Sequence, residues 1–456
     1  MPPRESLLLT DLYQLAMLQA YGEHGFAGTA VFELFVRKLP PRRGFLMAAG
    51  LEQAVQFLET ARFTASERDA LQRMGQFPRA FVDSLSDFRF TGDVDALPEG
   101  TIFFPDEPLL RVVAPLPQAQ LVETRLINLL HFQTVVASKA ARMVLAAPAK
   151  LLVDFGLRRA HGAEAGLLAA RASYLAGFAG TATLEAALRF GIPAYGTMAH
   201  SFIQAHDDES RAFEHFARSR PEGVVLLIDT YDTERGAEKV AELAGRLARD
   251  NIRIRGVRLD SGDLIALSKS VRGILDRGGL REVTIFASGG LDEHALEAFA
   301  KANAPIDGFG IGTSLTTSSD FPAADCAYKL QEYAGLPRRK RSEKKATWPG
   351  RKQVWRRYGS GAAGTMAGDL VALDTPSQQC RYASGAGEPL VQQVMQDGRR
   401  LRPPESLDDI RSRAKRELER LPQPLRRLEA GTTYPVEIDA ELVALAAEVD
   451  RRNEGR

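Results

Sequence analysis

Seven charged side chains in the middle of this chain fall where apolar runs end, each beside glycine or hydroxyl residues. His200 closes Ile192-Pro-Ala-Tyr-Gly-Thr197-Met-Ala-His200, and Asp229 and Asp232 close a run that begins at Val224. Arg158 follows Leu151-Leu-Val-Asp154-Phe155-Gly, and Arg258, Asp260 and Asp263 follow Ile254. Two later runs end in Ser288-Gly289-Gly290 and Gly310-Ile-Gly312-Thr313. Paired glycines let backbone N–H groups close around an anion, and a following helix start adds favourable partial charge. Taken singly, each turn reads equally well as a tight strand-to-helix connection; two in succession favour a phosphate site. A guanidinium grips phosphate oxygens in pairs, although Arg258 could equally form a rim ion pair with Asp260. Carboxylates beside such a grip are how a site holds Mg²⁺ with its waters, which makes Asp260 and Asp263 candidate ligands within an acidic cluster that includes Asp229 and Asp232. A lone histidine is usually structural. His200 has Asp229 at the next strand end, placed to orient its imidazole.

The elements that must position these groups are short strands alternating with helical stretches, which predicts parallel βα units. The polar residues sit only after each strand, the side that forms the C-terminal rim of a parallel barrel. Six strands are legible where eight close a standard barrel, so the pattern predicts an α/β fold with an irregular, TIM-like (β/α) barrel over residues 121–334. Helices are predicted from Thr233, from Ser261 or Asp263, and from Asp292. Residues 1–120 mix a helix capped by Thr10, a strand over Thr29–Val36 and proline-broken extended pieces. Residues 335–456 open with a basic stretch, ten Lys or Arg against one acid over 338–357. They continue through a Gly359–Gly364 linker to an amphipathic helix over Ser406–Leu421. The basic stretch is expected to guard an anionic small-molecule site rather than bind RNA.

With 456 residues, 45% apolar and 26% charged, the chain can bury a large core. Its two cysteines form no CxxC pair, and no histidine has metal-ligand spacing. A net charge of +1 gives no electrostatic case for nucleic acid or membrane. No leader-like start and no long apolar run are evident, so a soluble cytoplasmic protein is expected.

Read together and in order, Thr10-Asp-Leu-Tyr13-Gln, Asp154-Phe-Gly-x-Arg158, Gly196-Thr-Met-Ala-His200-Ser, Arg258-Leu-Asp260-Ser-Gly-Asp263, Ala287-Ser-Gly-Gly290, Gly310-Ile-Gly-Thr313 and Trp348-Pro-Gly-Arg-Lys-Gln-Val354 resemble the nicotinate phosphoribosyltransferase family. The resemblance implies an irregular barrel plus an α/β domain built from both chain ends, in a homodimer with shared active sites. It implies ATP-coupled conversion of nicotinate and phosphoribosyl pyrophosphate to nicotinate mononucleotide and pyrophosphate, with Mg²⁺. Tyr13 (from the partner subunit), Phe155 and Thr197 would contact the ring, and Arg158 and Arg258 its carboxylate or the substrate phosphates. Ser288, Gly289, Gly290, Gly310, Gly312 and Thr313 would bind the 5′-phosphate. His200 would be transiently phosphorylated, backed by Asp229, with Asp260 also catalytic.

Related nicotinamide enzymes carry an aspartate in a Gly-Thr-Asp-Thr segment. Here the segment is Gly180-Thr-Ala182-Thr183, which offers the amide no acceptor. The alternatives are a quinolinate or nicotinamide phosphoribosyltransferase, or a non-catalytic nucleotide sensor.

Overall fold

The computed structural model describes residues 6–40, 42–342, 345–359, 364–383, 387–429 and 431–454. The 359–364 linker therefore lies, apart from its two end residues, outside the described residues. The chain divides into two compact units, one formed by Met1–Ser138 with Ala323–Arg456 and the other by Lys139–Pro322.

The second unit carries an all-parallel six-stranded sheet. Its strands are β1 Leu151–Asp154, β2 Gly180–Thr181, β3 Val224–Leu227, β4 Ile254–Leu259, β5 Thr284–Ser288 and β6 Gly308–Ile311, in spatial order β2-β1-β6-β5-β4-β3. The last strand thus pairs with the first, Phe309 opposite Leu152, as it does around a barrel. Among the described residues the sheet stays open between β2 and β3, a half-barrel. The interior positions are fully buried, with Val153, Leu226, Val257, Ile285 and Ile311 inaccessible. Such two-sided apolar strands are expected when helices cover a parallel sheet.

The opening has a local cause. The run from Ile192 to His200, expected as a strand, makes only the bridge Thr181↔Ala194. Pro193 has no N–H to donate to a ladder, so the segment pairs through the Pro193 carbonyl and the Tyr195 N–H alone. The strand that occurs instead, β2, is two residues long and carries no periodicity to read.

Helices cap themselves as their sequences allow. Asp232, Asp263 and Asp292 accept from backbone N–H groups at the starts of Thr233–Arg249, Leu264–Arg277 and Glu293–Lys301. Near the N-terminus the helix runs Leu12–Glu23 with Asp11, not Thr10, at the cap.

The first unit holds a seven-stranded antiparallel sheet in which Thr29–Val36 lies between Pro108–Pro115 and Cys326–Tyr333. A four-stranded sheet centres on Lys352–Tyr358 and Met366–Leu373. The basic stretch belongs to this unit. Arg339 pairs with Asp450, Arg341 with Glu454 and Arg351 with Glu332. Lys352 pairs with Glu33, and Arg356 with both Asp369 and Glu417. These five of the stretch's ten cations are thus paired with carboxylates of the protein itself.

Candidate active site

The ends of β4 and β5 and the loop before the short helix His200–Gln204 meet at Arg258. Its guanidinium is buried and donates four hydrogen bonds: Nε to Ser288 Oγ at 2.9 Å, Nη1 to Thr197 Oγ1 at 2.9 Å and to the Met198 carbonyl at 3.1 Å, and Nη2 to Asp260 Oδ1 at 3.0 Å. Four of five N–H donors are thus spent on the protein. The expected grip on substrate becomes an organising role, in which Arg258 fixes three strand-end segments relative to one another. Ser288 Oγ also donates a short bond to Asp260 Oδ1. Burial would raise the Asp260 carboxyl, but the bonds from Ser288 and Arg258 and the charge of Arg258 outweigh it and hold it below the usual range.

His200 is half-buried and faces this cluster. Nδ1 lies 3.1 Å from Thr230 Oγ1, and Nε2 lies 3.9 Å from Asp260 Oδ2. The expected orientation by Asp229 is replaced by its neighbour Thr230. Asp229 instead accepts from the Asp260 N–H at 2.8 Å and the Ser261 hydroxyl at 2.7 Å through Oδ2. It therefore shapes the Asp260 loop rather than the imidazole. Successive residues at a strand end point to opposite sides, so a one-position error in assigning the partner is natural. The hydroxyl in Asp229-Thr-Tyr-Asp232 was the available signal.

Phe155 follows β1 and lies 5.7 Å from the Arg258 guanidinium carbon and 5.8 Å from the Phe286 ring. A Cβ at position 310 would stand 2.6 Å from the Phe155 ring, so Gly310 is required by that packing. Gly312 is close-packed too, since a Cβ there would stand 3.1 Å from the Phe155 carbonyl oxygen. Gly289 has φ +94° and approaches the Asp260 carbonyl so closely that a Cβ would lie 2.0 Å from it, while Gly290 (φ +64°) faces open space. Thr313 is exposed at the start of the turn Thr313–Thr316. Asp154, the residue before Phe155, is buried and accepts from the Gly156 N–H and the Thr181 hydroxyl, both at 2.8 Å. Burial without a cation pushes its carboxyl up to about 6 despite those bonds. Ala182 is exposed and offers only its backbone N–H, which donates to the Asp154 carbonyl.

Arg158 is exposed on the turn Leu157–Arg159 and makes no hydrogen bond or ion pair with the described residues. Its guanidinium is therefore open to solvent. Tyr13 lies in the first unit, exposed on Leu12–Glu23, where its hydroxyl accepts from Gln14 Nε2.

For a divalent cation the donor set is sparse. Among the described residues no group of three or more His, Cys, Asp or Glu converges on a common point. Asp263 spends Oδ1 on its helix cap, and Asp232 does likewise. Asp229 Oδ1, by contrast, is buried without a hydrogen-bond partner, and Asp260 Oδ2 faces His200. Two carboxylates fit an ion that completes its shell with water and substrate oxygens, the usual habit of Mg²⁺, not a caged ion.

The two glycine turns, the buried Arg258 organiser and the His200 imidazole thus stand at the strand ends of one parallel α/β sheet. The chain belongs to the nicotinate phosphoribosyltransferase family: it matches the family's N-terminal domain over residues 8–131, its central region over 151–334 and its C-terminal domain over 375–446. A nicotinate phosphoribosyltransferase of Mycobacterium tuberculosis is 50% identical over 438 residues, 96% of this chain and 92% of the relative. One from Bacillus subtilis is 39% identical over 356 residues, 76% of this chain and 72% of the relative. The crystal structure of human nicotinic acid phosphoribosyltransferase superposes with a TM-score of 0.85 at 30% identity, covering 96% of this chain and 99% of that one. Among the described residues no helix is long and apolar enough to cross a membrane.

Proposed function

We propose that the protein transfers the phosphoribosyl group of phosphoribosyl pyrophosphate to nicotinate, forming nicotinate mononucleotide and pyrophosphate for NAD biosynthesis, with ATP hydrolysis coupled through His200. The observation that carries this reading is the convergence of Arg258, Ser288, Asp260, Thr197 and His200 on one rim, in a chain of this family.

In the transfer, the pyridine nitrogen of nicotinate bonds to ribose C1 as the C1–O bond to pyrophosphate breaks. The electron pair leaves with the pyrophosphate, and no proton changes hands. Phe155 and the partner subunit's Tyr13 would sandwich the ring. Arg158, exposed and unpaired among the described residues, would take the nicotinate carboxylate. The turns at Ser288–Gly290 and Gly310–Thr313 would hold the 5′-phosphate. Positive charge grows on C1 in the transition state, and preorganised carboxylates such as Asp260 stabilise it, an effect of about 3–4 kcal/mol for a well-placed group. Asp229 and Asp260 would hold Mg²⁺, which supplies positive charge to the departing diphosphate.

Thr230 holds His200 by Nδ1 and leaves Nε2 toward Asp260, so Nε2 would accept the γ-phosphoryl of ATP, releasing ADP. Hydrolysis of that phosphohistidine returns the imidazole and inorganic phosphate. Purified protein given nicotinate, phosphoribosyl pyrophosphate, ATP and Mg²⁺ should form the mononucleotide, detected by chromatography. His200→Ala should retain slow transfer and lose ATP stimulation and ³²P labelling from γ-labelled ATP. Unchanged stimulation in that variant removes His200 from the mechanism, and turnover of quinolinate instead of nicotinate removes the substrate assignment.

A further inference from the structure

Behind the two glycine turns sits a buried ion cluster that the transfer chemistry does not use. Lys139, on the helix Glu123–Ala146, is 2% exposed, and its ammonium lies 2.5 Å from Glu293 Oε2 and 2.8 Å from Asp320 Oδ1. Glu293 is itself inaccessible, and its other oxygen lies 3.3 Å from Arg142 Nε, one helical turn along from Lys139. The two acids belong to different turns. Glu293 is the first residue of the helix that follows Ser288–Gly290, and Asp320 follows the turn Thr313–Thr316. A second tie joins the same pair, since the Ser314 hydroxyl donates a short bond to the Leu291 carbonyl.

The two turns leave paired strands, with Ser288 opposite Gly310, so the ladder fixes their bases; beyond that register the distance between their tips depends on the segments that follow. Gly289 and Gly290 are exposed, and a Cβ on Gly290 would touch nothing within 4 Å. One buried ammonium shared by the segments leaving both turns supplies that distance. Removing one partner of a buried ion pair leaves the other charge uncompensated, so Lys139 ties the two segments together through Glu293 and Asp320.

We infer that Lys139 is a positioning residue that sets the separation of the Ser288–Gly290 and Gly310–Thr313 turns, and so the fit of the sugar 5′-phosphate between them. This rests on the reading of those turns as the phosphate cradle. Ser314 serves the same end through its bond to the Leu291 carbonyl.

The test is steady-state kinetics of full-length Lys139→Met and Ser314→Ala, with titration of ribose 5-phosphate into each as a binding probe and a thermal melt as a fold check. A misplacement approaching 1 Å costs up to about a hundredfold. The expected result is a KM for phosphoribosyl pyrophosphate raised by about tenfold or more in Lys139→Met and by a few-fold in Ser314→Ala. The nicotinate KM and kcat should stay within about threefold of the wild type, and ribose 5-phosphate affinity should fall in parallel. An unchanged phosphoribosyl pyrophosphate KM in a folded variant overturns the inference. So does an equal shift in both substrates' KM values, the signature of general loosening. Should Lys139→Met fail to fold, Ser314→Ala decides alone. A wild type inactive with nicotinate yet binding ribose 5-phosphate would remove the function proposed above and leave this inference to the binding titration.

Discussion

At the scale of single residues, the site is a set of short polar side chains placed by one buried guanidinium. Their types were legible in the sequence because each stands where an apolar run stops. Their partnerships were not, because Arg258 reaches Ser288 and Thr197 across 30 and 61 positions of chain. Local spacing cannot encode such contacts, which explains why Arg258 read as a ligand clamp and Asp229 as the partner of His200. Gly289 is where the geometry is least forgiving. Its φ of +94° is a region L-residues rarely adopt, and the Asp260 carbonyl occupies the space a methyl would need. Gly289→Ala should therefore destabilise the protein by roughly 2–4 kcal/mol, measured by urea denaturation. Activity should fall further than stability does, because Asp260 moves with the turn. A cost within about 0.5 kcal/mol would show that the turn relaxes freely.

The elements show which acids are available for chemistry. The regular βα alternation from Leu151 onward was readable from the order of apolar runs and helical spacing, and the amphipathic helix at Thr233–Arg249 appears as its apolar spacing predicts. The failures were short or proline-bearing segments, Gly180–Thr181 and Ile192–His200, where no period of two can develop. Asp263 looked like a metal ligand because it sits near Asp260. Its carboxylate accepts from the Ile265 and Ala266 N–H groups, both at 3.1 Å, as a helix cap. Two variants separate the roles. Asparagine caps as well as aspartate, so Asp263→Asn should keep both stability and the Mg²⁺ dependence of activity. Asp263→Ala should lose about 1 kcal/mol in thermal or chemical denaturation with the same Mg²⁺ dependence. A tenfold rise in the Mg²⁺ needed for half-maximal rate in the asparagine variant would return Asp263 to the metal.

At the scale of the molecule, the first unit is assembled from both ends of the chain. Ala30 pairs with Tyr333, and Val36 with Cys326. No periodicity in either segment signals that pairing; only the family resemblance pointed to it. The same unit hides a charge cluster whose imbalance has a consequence. Arg356 and Asp369 are inaccessible, Glu107 is inaccessible, and Glu417 is nearly so. Three carboxylates thus surround one guanidinium. Burial, and then the neighbouring Asp369, push the Glu107 carboxyl well above its ordinary value. Its Oε2 accepts from the Phe104 N–H at 2.9 Å, and its buried Oε1 has no donor facing it, so Oε1 can carry a proton toward Asp369. The folded state then holds a proton that the unfolded chain releases near its ordinary value of 4.5. Because the native state binds more protons above that pH, stability contributed by Glu107 is complete below it and is lost as pH rises toward the raised native value. Glutamine copies the protonated acid, with its amide N–H₂ toward Asp369 and its oxygen toward Phe104. Melting curves from pH 5 to pH 8 should therefore fall less steeply for Glu107→Gln than for the wild type, and the variant should be relatively more stable at pH 8. The Asp154 carboxyl, raised to about 6, adds its own decline to both proteins, so the comparison rests on the difference in slope. Parallel slopes would mean that Glu107 is already ionised in the fold, with Arg356 shared evenly among three carboxylates.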